Sequence, residues 1–271
     1  MKNILEAPFM VEAIRTLTNL YRLGWDERNG GNLSYLLYSE DLEGYLDTGK
    51  VIRTIPMSFD ASEISGKIFL VTGTGKYFKN VQYDPERNLG IVRIAEDGKS
   101  CELLWGYSDG GKFTSELPAH LMSHIVRLRR DPEHRVVMHT HPTNTIAMSL
   151  IHTTCEREFT RSLWKMQTES IVVFPEGIAV LPWMVCGTNE IGEATAAKLE
   201  NTRLCVWTTH GIYGTGRDLD EAFGLIETVE KAAELYMLTR GAERINEIKD
   251  SELADLAATF GLTYRTDYLD L

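Results

Sequence analysis

Two histidines, His139 and His141, stand one residue apart at the end of the apolar run RVVMHTH. Side chains two apart in a strand project from the same face, so both imidazoles could reach one ion. Neutral imidazole nitrogens are common zinc ligands at about 2.0–2.1 Å. The competing reading is one packed ring and one solvated ring. A second apolar run, RLCVWTTHG, ends in His210 with glycines following. A histidine at a strand end, where glycines let the chain turn away, could meet the first pair; otherwise it is a lone core histidine. Three imidazoles leave a fourth position open for water or substrate, which is the pattern of a catalytic metal site.

The remaining histidines offer less. His120 and His124 are four apart in HLMSH, but this stretch lacks the glutamate of a zinc-protease helix. They read as two polar helix positions, and His134 and His152 fall in expected loops. Glu116, in TSELPAH, sits at a helix start, where an acid commonly complements the helix dipole. Free N–H groups at such a start also bind anions. The loops NGGN and TGTGK are rich in glycine, amide and hydroxyl groups, yet neither is a nucleotide motif. Each alone reads as a turn; together they suit a phosphate monoester held by N–H and hydroxyl groups.

The elements that must position these groups follow from pattern. Phe9, Ala13, Leu17, Leu20 and Leu23 lie near helical spacing, and Gly24 ends that helix. NLSYLLY and KIFLVTGTG read as strands, 39–65 as a polar excursion, and GIVRIAEDGKSCELLWG as a hairpin turning at Asp97-Gly98. TSELPAHLMSHIVRLRRDP reads as a helix capped by Thr114 or Ser115 with Pro118 in its first turn. RVVMHTH, SIVVFP and RLCVWTTHG read as strands. EIGEATAAKLEN and DLDEAFGLIETVEKAAELYMLT read as helices, the latter capped by Asp218 or Asp220. Such mixing predicts an α/β sandwich of one sheet with covering helices. No linker, repeat or low-complexity tract divides residues 1–271, so a single domain is expected.

A formal charge of -11 over 271 residues argues against nucleic acid as partner. No apolar run approaches a membrane span, and no signal peptide is expected. The four cysteines, Cys101, Cys155, Cys186 and Cys205, are scattered without a C-x-x-C, which fits a reducing cytoplasm better than a disulfide framework.

WDERNGGNLS, VTGTGKYFKNV, TSELPAHLMSH, VVMHTHPTN, FPEGIAVLPWMVCGTNEIG and HGIYGTG together resemble the zinc-dependent (class II) aldolase and sugar-phosphate epimerase superfamily. The similarity covers nearly the whole chain in order. The resemblance implies a largely antiparallel sheet between helices, in a cytoplasmic homotetramer. It implies Zn2+ held by His139, His141 and His210, and Glu116 as acid/base. Asn29, Asn32, Thr74 and Ser115 would line the phosphate site, Thr74 standing where members often carry serine. Glu169, in TESIVVFP, would be a second carboxylate at the aldehyde end, or else a solvated strand-edge acid. WDERNGGN and VVFPEGIAVLPWMVCGT point to the rhamnulose branch. The expected reaction is cleavage of L-rhamnulose 1-phosphate to dihydroxyacetone phosphate and L-lactaldehyde. The alternatives are another ketose-phosphate aldolase, a pentulose-5-phosphate 4-epimerase, or a non-catalytic scaffold.

Overall fold

The computed structural model describes residues 1–271. The chain opens with helix α1 (Pro8–Arg22), strand β1 (Asn32–Leu37), one turn of helix α2 (Ser39–Leu42) and strand β2 (Arg53–Pro56). Strand β3 (Ile68–Thr72) precedes two short helices, α3 (Phe78–Val81) and α4 (Pro85–Asn88). The hairpin β4 (Leu89–Ile94) and β5 (Ser100–Gly106) turns at Gly98 as expected. Helix α5 (Leu117–Arg130) then leads into β6 (Val136–Thr140). Helices α6 (Thr143–Ile151), α7 (Glu156–Trp164) and α8 (Thr168–Val173) follow. The remaining elements are β7 (Ala179–Leu181), α9 (Asn189–Leu199), β8 (Leu204–Trp207), β9 (Gly211–Gly216), α10 (Leu219–Thr239) and α11 (Asp250–Thr259).

One nine-stranded sheet runs β2-β5-β4-β3-β1-β6-β9-β8-β7, and only the β7–β8 pair is parallel. Side-chain alternation sorts each strand between two helical layers. Leu33, Tyr35 and Leu37 of β1, with Val136 and Met138 of β6, join the core under α1, α7 and α10. Leu36 of β1 faces Leu117 and Leu121 of α5, and Val137 of β6 and Tyr213 of β9 face Ile191 and Leu199 of α9. The helical stripe of α1 buries Phe9, Ala13, Leu17 and Leu20. Full burial of a large apolar side chain contributes about 1.5–3 kcal/mol. Leu23, by contrast, lies past the helix end and is exposed.

Several expectations need correction. SIVVFP is not a strand: Thr168–Val173 forms helix α8. Its β-branched residues favour a strand locally, but burying Ser170 and Ile171 on one helical face decides the outcome. The excursion 39–65 contains edge strand β2, paired with β5. His210 is not at a strand end before a departing chain. It occupies the turn of a hairpin whose second arm, β9, is GIYGTG itself. Gly211 suits that arm because a methyl there would meet Thr140 O at 2.4 Å and the His139 ring at 2.9 Å. Of the expected caps, Asp218 holds for α10, whereas the N-cap of α5 is Glu116 rather than Thr114 or Ser115, and no side chain caps that helix. Pro8 opens α1, Thr188 accepts from Ile191 N, and Asp218 accepts from Glu221 N.

Candidate metal centre and active site

Register across three strands builds the site. Asn32 on β1 pairs with His139 on β6, and His139 pairs with Tyr213 on β9. Directly opposed residues share a face, here the one toward the N-terminus of α5. His139 and Tyr213 stack at 4.4 Å between ring centres. His141 lies two residues beyond His139, and the β8–β9 turn brings His210 to both. The three ring centres stand 5.0–5.1 Å apart. One nitrogen from each ring lies within 4.8 Å of the others.

The hydrogen bonds state which nitrogens face inward. His139 Nδ1 donates to the Ile212 carbonyl at 3.0 Å, and His141 Nδ1 donates to Glu27, 3.1 Å from each carboxylate oxygen. A ring donating from Nδ1 keeps Nε2 bare. Both Nε2 atoms are buried and without a hydrogen-bond partner. Two orphaned acceptors beside a third imidazole are costly alone but suited to a divalent cation. Burial, with His141 and His210 adding repulsion, holds His139 well below the usual histidine range. Burial also lowers His210, against the pull of Glu116. Metal ligation needs the neutral form that this environment favours.

Glu116 is the N-cap residue of α5, just outside the first turn, and its side chain does not cap the helix. Its Oε2 accepts from Asn32 Nδ2 at 3.0 Å and Tyr213 Oη at 2.8 Å. The carboxylate stands 3.6 Å from His139 Nε2 and 3.9 Å from His210 Nε2. With His139 neutral, the first of these approaches is not an ion pair. Burial and the neighbouring Glu116 push Tyr213 well above the tyrosine range, so it stays a donor.

The structure ties together the loops expected to hold phosphate. Thr72 Oγ1 accepts from Leu33 N, and the Thr72 carbonyl accepts from Thr114 N. Thr74 N donates to the Lys112 carbonyl at 2.9 Å. Ser115 is exposed and lines a cleft with Lys112, Ser58 and Gly187. Asn29 is exposed in the loop preceding β1. Asn32 differs in kind, since its amide is occupied by Glu116 and His120. Lys76 pairs with Asp109. Glu169 is exposed in the first turn of α8 and lines neither this cleft nor the opening beside His141 and His210.

Sequence reasoning missed four participants. Glu27 orients His141. Tyr213 supports Glu116, and only the register of β9 reveals it. The exposed Cys186 thiol lies within 4.8 Å of a Glu116 oxygen and a His210 nitrogen. Glu230 on α10 accepts from Asn144 N and Thr145 N, capping α6 directly after the His139–His141 segment. His120 and His124 do lie on α5 and His134 in a loop, as expected, but all three are buried: Ser34 bridges His120 and His124, and His134 bonds directly to His124.

A family profile described as Class II Aldolase and Adducin N-terminal domain matches residues 11–237. The chain is 57% identical over 270 residues to the rhamnulose-1-phosphate aldolase of Listeria monocytogenes serotype 4b, covering 99% of each. It is 56% identical over 270 residues to that of Enterococcus faecalis, covering 99% of this chain and 96% of the relative. Among solved structures it resembles a sugar-phosphate aldolase from Thermotoga maritima, with TM-score 0.73 and 30% identity. That match covers 86% of this chain and 95% of the other.

Proposed function

The chain belongs to the class II aldolase family, and we propose that it cleaves L-rhamnulose 1-phosphate to dihydroxyacetone phosphate and L-lactaldehyde. It is an aldehyde-lyase whose substrate is a sugar phosphate. The observation that carries the chemistry is the set of His139, His141 and His210 nitrogens beside Glu116. The substrate follows from the full-length relatives, whose names state it.

The donor set fits a divalent cation, with zinc the natural occupant of three imidazoles. Such a cation, when bound, supplies Lewis-acid stabilisation of the charge that develops on the substrate oxygen at C2. The chain's residues do the rest. The C3–C4 bond breaks with its electron pair passing to C3, the C4 hydroxyl gives its proton to a carboxylate base at the aldehyde end, the role we propose for Glu169, and C4 becomes the aldehyde carbon of L-lactaldehyde. Glu116 delivers a proton to C3 of the resulting enediolate and removes it in the synthetic direction. Asn32 and Tyr213 hold the Glu116 carboxylate in place. Asn29, Thr74 and Ser115 take the phosphate through N–H and hydroxyl groups, and the remaining N–H of Asn32 adds to them.

Glu169 assists at the aldehyde end. Because it lines neither cleft of its own chain, it would serve a neighbouring subunit in a homotetramer. Exposed Leu150, Trp183 and Val185 provide apolar surface for such association. All four cysteines are free, which supports a reducing, cytoplasmic setting for a chain acting as one domain over 1–271. No helix is long and apolar enough to cross a membrane.

The test is an assay of purified protein with L-rhamnulose 1-phosphate against L-fuculose 1-phosphate, with and without chelator. Dihydroxyacetone phosphate should form preferentially from the first, stop on chelation and resume with zinc. Full turnover after exhaustive metal removal would overturn the reading. Glu116→Gln should keep its metal and lose about 10²-fold or more in kcat.

A further inference from the structure

An unbroken series of buried side chains runs from Glu116 away from the metal centre. Glu116 Oε2 contacts Asn32 Nδ2 at 3.0 Å, and Asn32 Oδ1 contacts His120 Nε2. His120 Nδ1 lies 2.7 Å from Ser34 Oγ, and Ser34 Oγ lies 2.8 Å from His124 Nε2. His124 Nδ1 lies 2.9 Å from His134 Nε2. Every member is buried. Three of the seven histidines are thus committed to one series.

Donor counting gives the series a single direction. A carboxylate only accepts, so the Asn32 NH2 faces Glu116 and its carbonyl must accept from His120 Nε2–H. A neutral His120 then has a bare Nδ1, which accepts the one Ser34 hydroxyl proton. Ser34 can in turn only accept from His124, so His124 donates from Nε2 and accepts at Nδ1 from His134 Nε2–H. Burial supports the neutral rings. It holds His120 and His134 down to about 3 and His124 well below the histidine range. Five bonds therefore point toward Glu116, and aligned hydrogen bonds polarise one another in a low-dielectric interior.

We infer that His120 is a positioning residue: with Ser34, His124 and His134 behind it, it locks the Asn32 amide so that an N–H faces Glu116. An Asn amide is nearly symmetric in shape and can rotate by half a turn. The flipped amide would set a carbonyl against the carboxylate and drive Glu116 from its place. This role rests on Glu116 being the proton carrier proposed above.

Neutron crystallography of the perdeuterated, metal-loaded protein tests the geometry independently of turnover. Deuterons should appear on Nε2, and not on Nδ1, of His120, His124 and His134, with the Asn32 ND2 facing Glu116. A deuteron on His120 Nδ1, or a doubly deuterated ring, would overturn the inference. In the assay, His120→Leu should lose about 10²-fold in kcat, the usual scale for a displaced catalytic group, with bound metal unchanged. His120→Gln keeps a donor at the Nε2 position and should recover most of that loss. Parental kcat in His120→Leu, or a Gln variant as slow as Leu, would remove the role; should His120→Leu fail to fold, the deuteron positions decide. Inertness of the parent protein toward ketose phosphates would instead count against the proposed reaction, leaving the deuteron positions to judge the network.

Discussion

Tyr213 on β9 donates its phenolic hydrogen to Glu116 at 2.8 Å while its ring stacks on His139 at 4.4 Å. One side chain thus supports both the proposed proton carrier and a proposed metal ligand, through different parts. Tyr213→Phe separates them, because the ring remains while the donor is lost. A hydrogen bond to a charged group contributes about 1.5–3 kcal/mol, so kcat should fall roughly tenfold to a hundredfold. Thermal stability and metal content should hold, since Glu116 still accepts from Asn32. Steady-state kinetics beside a melting curve checks this; an unchanged kcat would detach Tyr213 from the reaction.

Glu27 holds His141 Nδ1, so in the proposed site it would act on a bound metal through that ring, without contact with substrate. Outer partners of histidine ligands typically control metal affinity by about 10–100-fold. Glu27→Ala should weaken metal binding by that factor, read by competition with a coloured chelator, while saturating zinc restores turnover. Equal affinity in variant and parent would show that His141 is oriented by the backbone alone.

Gly31 stands between Asp26 and strand β6, which carries His139, with φ +73°. A methyl there would fall 1.6 Å from Asp26 Oδ1 and 3.1 Å from the His139 carbonyl. Asp26 is buried, its carboxyl pushed well above the usual range by that burial, and it accepts from Thr140 Oγ1 at 3.0 Å. It has little room to yield. Gly31→Ala should cost about 1–3 kcal/mol in backbone strain alone and should also release metal more readily. A variant that melts with the parent and holds metal equally well would show that the loop adapts.

The buried histidine series makes stability sensitive to acid. His120, His124 and His134 are neutral when folded but take up protons near 6.5 when unfolded. Their folded values are depressed, so their contribution is complete above about pH 6.5 and declines as pH falls toward about 3. Each ring should subtract up to about 1.4 kcal/mol per pH unit within that window. Chemical denaturation at pH 7, 6 and 5 gives the slope. A flat response would mean that the rings are already charged in the folded state.

Much of this was legible in one dimension. His139 and His141 announce themselves because a strand repeats every two residues, and the family motifs extend along almost the whole chain. The cap Asp218 is legible because capping is local chemistry, while the start of α5 shifts to Glu116 because that side chain is drawn to Asn32 and Tyr213. SIVVFP was misread because a six-residue apolar run suits helix and strand alike. His120 and His124 were set aside because their partner, Ser34, lies 86 and 90 positions away.

From the chain alone came the donor types, their spacing within each strand, and the family to which the motifs belong. Pairing decided the rest. Antiparallel register puts Asn32, His139 and Tyr213 in one row, and the β8–β9 turn carries His210 to the same face. Tyr213, Glu27 and the Ser34 network take their roles from contacts between distant segments, which no local pattern encodes. Burial, likewise a property of the assembled layers, favours the neutral His139 ring and leaves the Nε2 atoms of His139 and His141 unpartnered at a common point.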